Sequence, residues 1–447
     1  MIRRLTIYAL LPALLSAGIS CKHSLPKPGL RNQDISGVVT TMTRIMVHDV
    51  TNPPLAARFF AYSCLAGYEV VTENDPNARP WQHNLNGYPH FRPTSVKGYD
   101  YRLSALLAMM ETAAKLQPSG TAVVQYKQQF LDSCRALGYE QAVIDSSLKY
   151  ALSVSKVILA YAKADGYRNI SNYKRYVALD TPGAWYPTPP AYLPPVEPYF
   201  KKVRSFTLDS CSQFKPALPA KFSTKKSSPF YKLMLLTADQ DASKLPADKR
   251  SIAGFWDCNP FAVQDDGHML VGLKKISPGA HWLGITAIAC QESKTGFSKT
   301  MEINTAVSVG LMDSFICCWD EKYRSNRIRP ETAIRQLLDP DWKPLLQTPP
   351  FPEYLSGHSC ISATSAVILT YYFGDHFEYT DNVEESYGLK PRKFHSFDEA
   401  AIEAGISRLY GGIHFKDAID NGRLQGINVG NWVLGKIAGR DYNRNKK

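Results

Sequence analysis

The sequence lacks the features that would mark a nucleic-acid-binding protein or a multispanning membrane protein. Its 447 residues carry a formal net charge of +12, but the basic residues are scattered and form no long Lys/Arg run. This pattern argues against nucleic acid as a partner and favours the recruitment of small anions. After the N-terminal apolar stretch, no segment offers about 18 consecutive uncharged apolar residues, the length that a membrane-spanning helix needs.

The sequence also has no CxxC pair among its nine cysteines. The wide and irregular spacing argues against a zinc site. Eight cysteines remain besides Cys21, and an even number in an exported protein would permit disulfides. Cys317 and Cys318 lie in an apolar run, and we interpret them as small buried hydrophobic residues.

Residues 1–21 have the pattern of a secretory signal. The basic "MIRR" precedes "LTIYALLPALLSAGI", 15 residues long, and Ser20–Cys21 follows. This apolar stretch is short for a membrane span and typical of a signal peptide. Cys21 resembles a bacterial lipidation site, so we expect an exported, membrane-anchored lipoprotein that faces the periplasm or the cell surface. Simple secretion is the alternative.

Helical periodicity dominates the rest of the chain. Apolar residues recur at helical spacing in residues 99–116 and in several later stretches, whereas no alternating strand pattern and no internal repeat are present. The fold class predicted is all-α. We divide the chain into an N-terminal helical region (22–180), a Pro-rich segment and connection (181–244) and a helical catalytic domain (245–447), because seven prolines fall within residues 181–200.

Three short stretches, "KYRSNRIRP", "SGH" and "SRLYGGIHF", contain the residues that could hold a tetrahedral oxyanion. These residues are Lys322, Arg329, Ser356, Gly357, His358, Arg408 and His414. The seven-residue spacing of Lys322 and Arg329 predicts that they share one helix face. "SGH" opens a predicted helix, where free N–H groups and the helix dipole attract anions. Gly411 and Gly412 should end the next helix and let His414 turn back.

In this order the stretches resemble the three-part signature of the vanadium-dependent haloperoxidases and the type 2 phosphatidic-acid/acid phosphatases. The matching elements are Lys322-x6-Arg329-Pro330, Ser356-Gly357-His358 and Ser407-Arg408-x5-His414. Leu355 departs from the signature, in which proline usually stands at this position. The resemblance implies a helix-bundle fold of the acid phosphatase/vanadium haloperoxidase type, with vanadate as cofactor or phosphate in the same site.

The surroundings resemble the haloperoxidase branch and bacterial haloperoxidase-related proteins. The run "PFPEY" precedes the second stretch, and Trp319 and Phe351 match aromatic residues that line the halide side of the pocket in chloroperoxidase-like members. "FWDCN" resembles a further segment in which an aspartate supports an active-site arginine. Asn259 stands at that position here, with Asp257 nearby.

The resemblance implies a role for each residue of the signature. The expected ligands of vanadate are Lys322, Arg329, Ser356, Gly357, Arg408 and His414. His414 would bond the vanadium, His358 would take a proton from hydrogen peroxide, and Lys322 would polarise the bound peroxide for attack by a halide. These three residues are the predicted catalytic residues.

Two alternatives remain open at this point. In a phosphatase acting on a phosphate ester, His414 would become a phosphohistidine and His358 would protonate the leaving alcohol. A non-catalytic lipoprotein could use the same pocket only to bind anions. Four other histidines are interpreted as structural or exposed: His268, His281, His376 and His395.

Overall fold

The computed structural model describes residues 29–90, 94–265 and 269–439. The predicted signal peptide at 1–21, with Cys21, lies outside the described residues, as does His268. Within this part of the chain, no helix combines the length and the hydropathy that a membrane crossing requires.

Thirteen α-helices account for most of the described chain, which confirms the all-α prediction. The first five are α1 Asn32–His48, α2 Pro53–Thr72, α3 Tyr101–Leu116, α4 Gly120–Ala136 and α5 Gln141–Lys163. The next four are α6 Pro229–Ala238, α7 Ala247–Phe255, α8 Pro278–Glu292 and α9 Phe297–Ser325. The last four are α10 Pro330–Leu337, α11 Gly357–Phe373, α12 Phe397–Tyr410 and α13 Lys416–Ala438.

Strands occur only as two small antiparallel hairpins in the described residues. β1 Val263–Asp265 pairs with β2 Leu270–Gly272, and β3 Tyr379–Asp381 pairs with β4 Arg392–Phe394. Each strand has three residues, which is too short for an alternating pattern to be visible in the sequence. Short 3₁₀ turns lie at Tyr167–Asn172, Phe200–Lys202 and Glu385–Tyr387.

Helix α9 is the central element of the bundle. It is 29 residues long, and buried side chains lie all around its circumference, as expected for a helix that is surrounded by other helices. It packs against α2 on one side and against α11 and α13 on the other. Buried apolar residues from Leu30 to Ile437 form one continuous core. The division at 181–244 remains a prediction.

The Pro-rich segment packs against the C-terminal end of α9. Trp185 N donates to Asn326 O at 2.9 Å, and the Val196 carbonyl accepts from Tyr323 Oη at 2.6 Å and Trp319 Nε1 at 3.2 Å. The segment therefore helps to fix the end of the helix that carries Lys322.

Helices α11 and α13 lie unusually close because α13 has three glycines spaced four residues apart, Gly422, Gly426 and Gly430. A Cβ on Gly426 would lie 2.1 Å from the Cys360 carbonyl oxygen, and one on Gly430 would lie 2.9 Å from Val367 Cβ. A Cβ on Gly422 would likewise lie 3.0 Å from the Ser356 carbonyl oxygen. This stripe of glycines sets the position of the α11 N-terminus, where the "SGH" stretch begins.

Candidate active site

The three predicted stretches meet where several helices end. Lys322 lies in the last turn of α9, Arg408 lies in the last turn of α12, and His414 follows in the connection to α13. Arg329 is the N-cap residue of α10. The expectation that Lys322 and Arg329 share a helix face is wrong, because α9 ends at Ser325. The chain turns at Asn326, whose φ of 49° is left-handed.

Lys322 is completely buried at the end of α9. Its ammonium donates to the carbonyls of Pro352 at 3.0 Å and Glu353 at 3.2 Å, and also to that of Leu355. Burial lowers its pKa to about 8, and the nearby Arg329 contributes in the same direction. Lys322 thus fixes the loop before α11 and places a positive charge near His414.

Arg329 is also fully buried, and its guanidinium is incompletely satisfied. Nε donates to Phe351 O at 2.9 Å, and Nη1 donates to Ile413 O at 2.9 Å. Nη2 is buried and has no hydrogen-bond partner. Burial lowers the pKa of Arg329 to about 10, so the side chain remains cationic at neutral pH. A buried cation with a free donor favours an anionic ligand.

His414 is held between Glu353 and Arg329. Its Nδ1 lies 2.9 Å from Glu353 Oε1, and its Nε2 lies 3.2 Å from Arg329 Nη1. Burial lowers the pKa of His414 well below its usual value, and the charges of Arg329 and Lys322 lower it further. The neutral ring therefore donates from Nδ1 to the carboxylate and keeps its lone pair on Nε2, the atom suited to a metal bond.

His358 follows the first residue of α11 and lines the pocket together with Arg408 and His414. Its Nε2 is buried and has no hydrogen-bond partner. Burial lowers its pKa well below the usual value, and the charge of Arg408 adds to the effect. A neutral imidazole with a free nitrogen that faces the pocket can accept a proton.

Arg408 is positioned by backbone carbonyls. Its Nη2 donates to Trp256 O at 2.6 Å, and its Nε donates to Ser407 Oγ at 2.9 Å. Asn259 instead accepts from Phe261 N at 3.1 Å, and Asp257 pairs with Lys275. The "FWDCN" segment therefore supports Arg408 through the main-chain carbonyl of Trp256. Among the described residues, none of the hydrogen bonds of Arg408 goes to a carboxylate.

The N-terminus of α11 carries Ser356 and Gly357. Ser356 is the N-cap, and its hydroxyl accepts from Ser359 N at 3.2 Å. Gly357 lines the pocket, and the nearest atom to a Cβ placed on it would be Trp319 Cζ3 at 3.5 Å. A side chain here would occupy the Trp319 side of the pocket, close to the free N–H groups at the helix start.

Aromatic rings form another wall of the pocket. The Trp319 and Phe351 ring centroids are 5.0 Å apart, and both residues line the pocket. The ammonium of Lys322 lies 4.8 Å from the Phe351 centroid, and the Arg329 guanidinium lies 5.1 Å from it. Both cations therefore lie close to the Phe351 ring.

Two functional residues escaped the sequence analysis. Glu353, the fourth residue of "PFPEY", is completely buried and accepts from His414, from Phe415 N at 2.9 Å and from Arg327 Nε at 2.6 Å. Arg327 continues to Asp417 at 2.6 Å. An acidic residue within an otherwise apolar run was the only available signal.

Comparison with known proteins identifies relatives of the whole chain. A family profile described as the VCPO second helical-bundle domain matches residues 302–440. The crystal structure of the first bacterial vanadium-dependent iodoperoxidase is similar, with a TM-score of 0.86 and 40% sequence identity. That match covers 91% of this chain and 97% of the other.

More distant structures share the fold. The holo-type bacterial vanadium-dependent chloroperoxidase has a TM-score of 0.59 and 15% identity, with coverage of 90% of this chain and 93% of the other. Its apo-type counterpart has a TM-score of 0.60 and 14% identity, with coverage of 92% and 97%. A search of curated protein sequences found no match.

Proposed function

The chain belongs to the vanadium-dependent haloperoxidase family, and from this premise we propose that it oxidises a halide with hydrogen peroxide, with vanadate as the cofactor. We propose iodide as the halide, because the relative with 40% identity over 91% of the chain is an iodoperoxidase. The observation that carries the proposal is the buried pocket in which neutral His414 faces cationic Arg329.

The residues present fit a tetrahedral oxyanion. Lys322, Arg329 and Arg408 are all buried, and Arg329 Nη2 is a buried donor without a partner. The carboxylate of Glu353, which contacts His414, is already paired with Arg327. A bound oxyanion would supply the missing acceptor and balance the buried positive charge.

Each residue of the proposed site would have a distinct role in the reaction. His414 Nε2 would ligate the metal, with the ring fixed by Glu353, and Arg329 and Arg408 would donate to the anionic oxygens together with the Gly357 N–H. Vanadate, when bound, supplies a Lewis acid that activates hydrogen peroxide without changing oxidation state. His358 Nε2 would accept a proton from hydrogen peroxide, because the neutral ring has a free lone pair.

The aromatic wall supports the same proposal. Trp319 and Phe351 border the pocket, where a large polarisable halide can approach the ring edges. We therefore expect Phe351→Ala to raise the KM for iodide more than the KM for hydrogen peroxide.

A direct assay tests the function. Vanadate-loaded protein is assayed for peroxide consumption with iodide, bromide and chloride, and vanadate-free protein is assayed for hydrolysis of a phosphate ester. We expect vanadate-dependent iodide oxidation. Phosphate-ester hydrolysis without halide oxidation would instead identify a phosphatase, since phosphate fits the same cationic pocket. Neither activity in a protein that binds vanadate would indicate anion binding alone.

Export and membrane anchoring are a separate proposal, supported by residues 1–21 of the sequence. If Cys21 is lipidated, the full chain should fractionate with membranes and incorporate a labelled fatty acid. Cys21→Ala should abolish the labelling. Unchanged labelling in that variant would contradict lipidation at this residue.

A further inference from the structure

Three side chains of residue types that bind metals come together from distant segments, next to the active-site pocket. Cys258 follows α7, His281 lies in the first turn of α8, and Glu384 lies between β3 and β4. The Cys258 Sγ–His281 Nδ1, Cys258 Sγ–Glu384 Oε1 and His281 Nδ1–Glu384 Oε1 distances are all 3.4 Å. All three residues are buried.

This triangle has the size of one face of a zinc coordination tetrahedron. Zinc bonds of about 2.3 Å to sulfur and about 2.0–2.2 Å to nitrogen and oxygen place tetrahedral ligands roughly 3.4–3.6 Å apart. We propose that Cys258, His281 and Glu384 bind a zinc ion. A mixed thiolate, imidazole and carboxylate set suits zinc better than it suits the hard cations magnesium and calcium.

Asp381 orients the histidine for this role. Its Oδ2 lies 2.8 Å from His281 Nε2, and its Oδ1 accepts from Val383 N at 3.1 Å. With Nε2–H donating to the carboxylate, release of the proton on Nδ1 would leave a lone pair directed at Cys258 and Glu384. A metal-ligating histidine that donates its other N–H to a carboxylate is the usual outer arrangement of a zinc site.

The competing occupant of this cluster is the proton. Burial raises the pKa of Cys258 to about 11. Burial alone would lower the pKa of His281, but the charge of Asp381 raises it well above its usual value. Zinc binding would release one proton from the thiol and one from the imidazolium. The zinc ion brings two positive charges and the two released protons remove two, so the net charge of the buried cluster is unchanged.

The location gives the ion a structural task. Cys258 is two residues from Trp256, whose carbonyl holds Arg408 at 2.6 Å. The ion would tie this segment to α8 and to the loop that joins β3 to β4, and so would hold Arg408 in position. Cys258 also lines the active-site pocket, which provides an access route for the ion.

Metal analysis of the full chain tests the proposal. After incubation with Zn²⁺ and removal of excess, we expect about one zinc per chain in the wild type and almost none in Cys258→Ser. Cys290→Ser is the matched control, because Cys290 is equally buried in α8 but contributes no ligand. Asp381→Asn should weaken zinc binding by about 10–100-fold in a chelator competition.

A second measurement decides the case if Cys258→Ser does not fold. Wild-type protein loaded with Co²⁺ should show a thiolate-to-cobalt charge-transfer band and tetrahedral ligand-field absorption. A wild type that takes up no zinc, or Co²⁺-loaded protein without the thiolate band, overturns the proposal. Equal zinc content in wild type and folded Cys258→Ser overturns it as well. None of these readouts depends on haloperoxidase activity.

Discussion

Glu353 Oε1 lies 2.9 Å from His414 Nδ1 and fixes which nitrogen of that ring carries the proton. The same carboxylate pairs with Arg327 and accepts from Phe415 N. One buried acid therefore sets the ring's tautomer, its orientation and the start of the following helix.

Removing this charge should weaken the cofactor site. For Glu353→Gln we expect vanadate affinity to fall by about 10–100-fold, because the partner of a metal-ligating histidine raises its basicity and fixes its orientation. Vanadate titration followed by calorimetry measures the effect. Asp417→Asn is the control: it removes the other carboxylate on Arg327 and leaves the Glu353–His414 bond. Equal losses in both variants would show that Glu353 acts only through Arg327.

The two site arginines should contribute directly to oxyanion affinity. Arg329→Ala and Arg408→Ala each remove a charge-assisted hydrogen bond worth about 1.5–3 kcal/mol, roughly a tenfold to hundredfold loss in binding of vanadate or phosphate. Arg135→Ala, on the exposed face of α4, should leave affinity unchanged. Unaltered affinity in both site variants would mean that the anion binds elsewhere.

The sequence was sufficient to predict the helical class, whereas the assignment of seven residues to an oxyanion site stays a prediction. Helical periodicity is a local property, and the three stretches each lie at a helix end. A charged side chain is rarely buried without a partner, so the Lys and Arg residues at these positions indicate an anion site. Ser356, which we expected to donate to the anion, is the N-cap of α11, and its hydroxyl accepts from Ser359 N at 3.2 Å.

The remaining features depend on contacts between distant segments. The turn at Asn326 separates Lys322 from Arg329, and no proline or glycine marks it in the sequence. Glu353 could not be linked to His414, 61 residues away. The Cys258, His281 and Glu384 cluster joins three segments, so the absence of a CxxC pair gave no information about it.

Oxyanion binding should weaken at alkaline pH because of Lys322. Its pKa is lowered to about 8, so the free enzyme loses this charge as pH rises through 8. Molybdate, a tetrahedral dianion that does not titrate at alkaline pH, is a suitable probe. We expect its affinity to fall from pH 7 to 9.5 in the wild type and to be low and nearly constant in Lys322→Met. Identical pH profiles would contradict the assignment.

The same residue should give a stability signature in the protein free of oxyanion. The unfolded chain holds the lysine proton up to about pH 10.4, whereas the folded chain releases it near pH 8. Between these values the unfolded state binds more protons, so Lys322 makes the free energy of unfolding rise with pH. Urea denaturation of wild type and Lys322→Met at pH 7 and 9.5 should show this difference in slope.

The glycine stripe of α13 should be sensitive to a single methyl group. For Gly426→Ala, a Cβ would lie 2.1 Å from the Cys360 carbonyl oxygen, so the helices must separate at a cost of about 1–3 kcal/mol. Gly254→Ala in α7 meets nothing within 4 Å and should be neutral or stabilising by up to about 1 kcal/mol. Thermal unfolding of both variants measures the difference, and equal midpoints would contradict close packing of α11 and α13.

The two pocket histidines should fail in different ways when they are replaced. His414→Ala removes the proposed metal ligand but leaves the cationic cage, so vanadate should bind weakly and exchange readily. His358→Ala leaves the ligands in place and removes the proton acceptor, so vanadate affinity should stay within a few-fold. Turnover should then fall by roughly 10²–10⁴, the usual contribution of general acid–base catalysis.

Titration of vanadate into both variants, with turnover followed at each concentration, separates binding from rate. Saturating vanadate should restore part of the activity of His414→Ala and none of that of His358→Ala. His358→Asn serves as a further control, because it keeps a polar side chain at the start of α11 without an imidazole base. If His358→Ala turned over normally per folded molecule, the unpartnered Nε2 would be a consequence of packing, and the proton would have to leave hydrogen peroxide by another route.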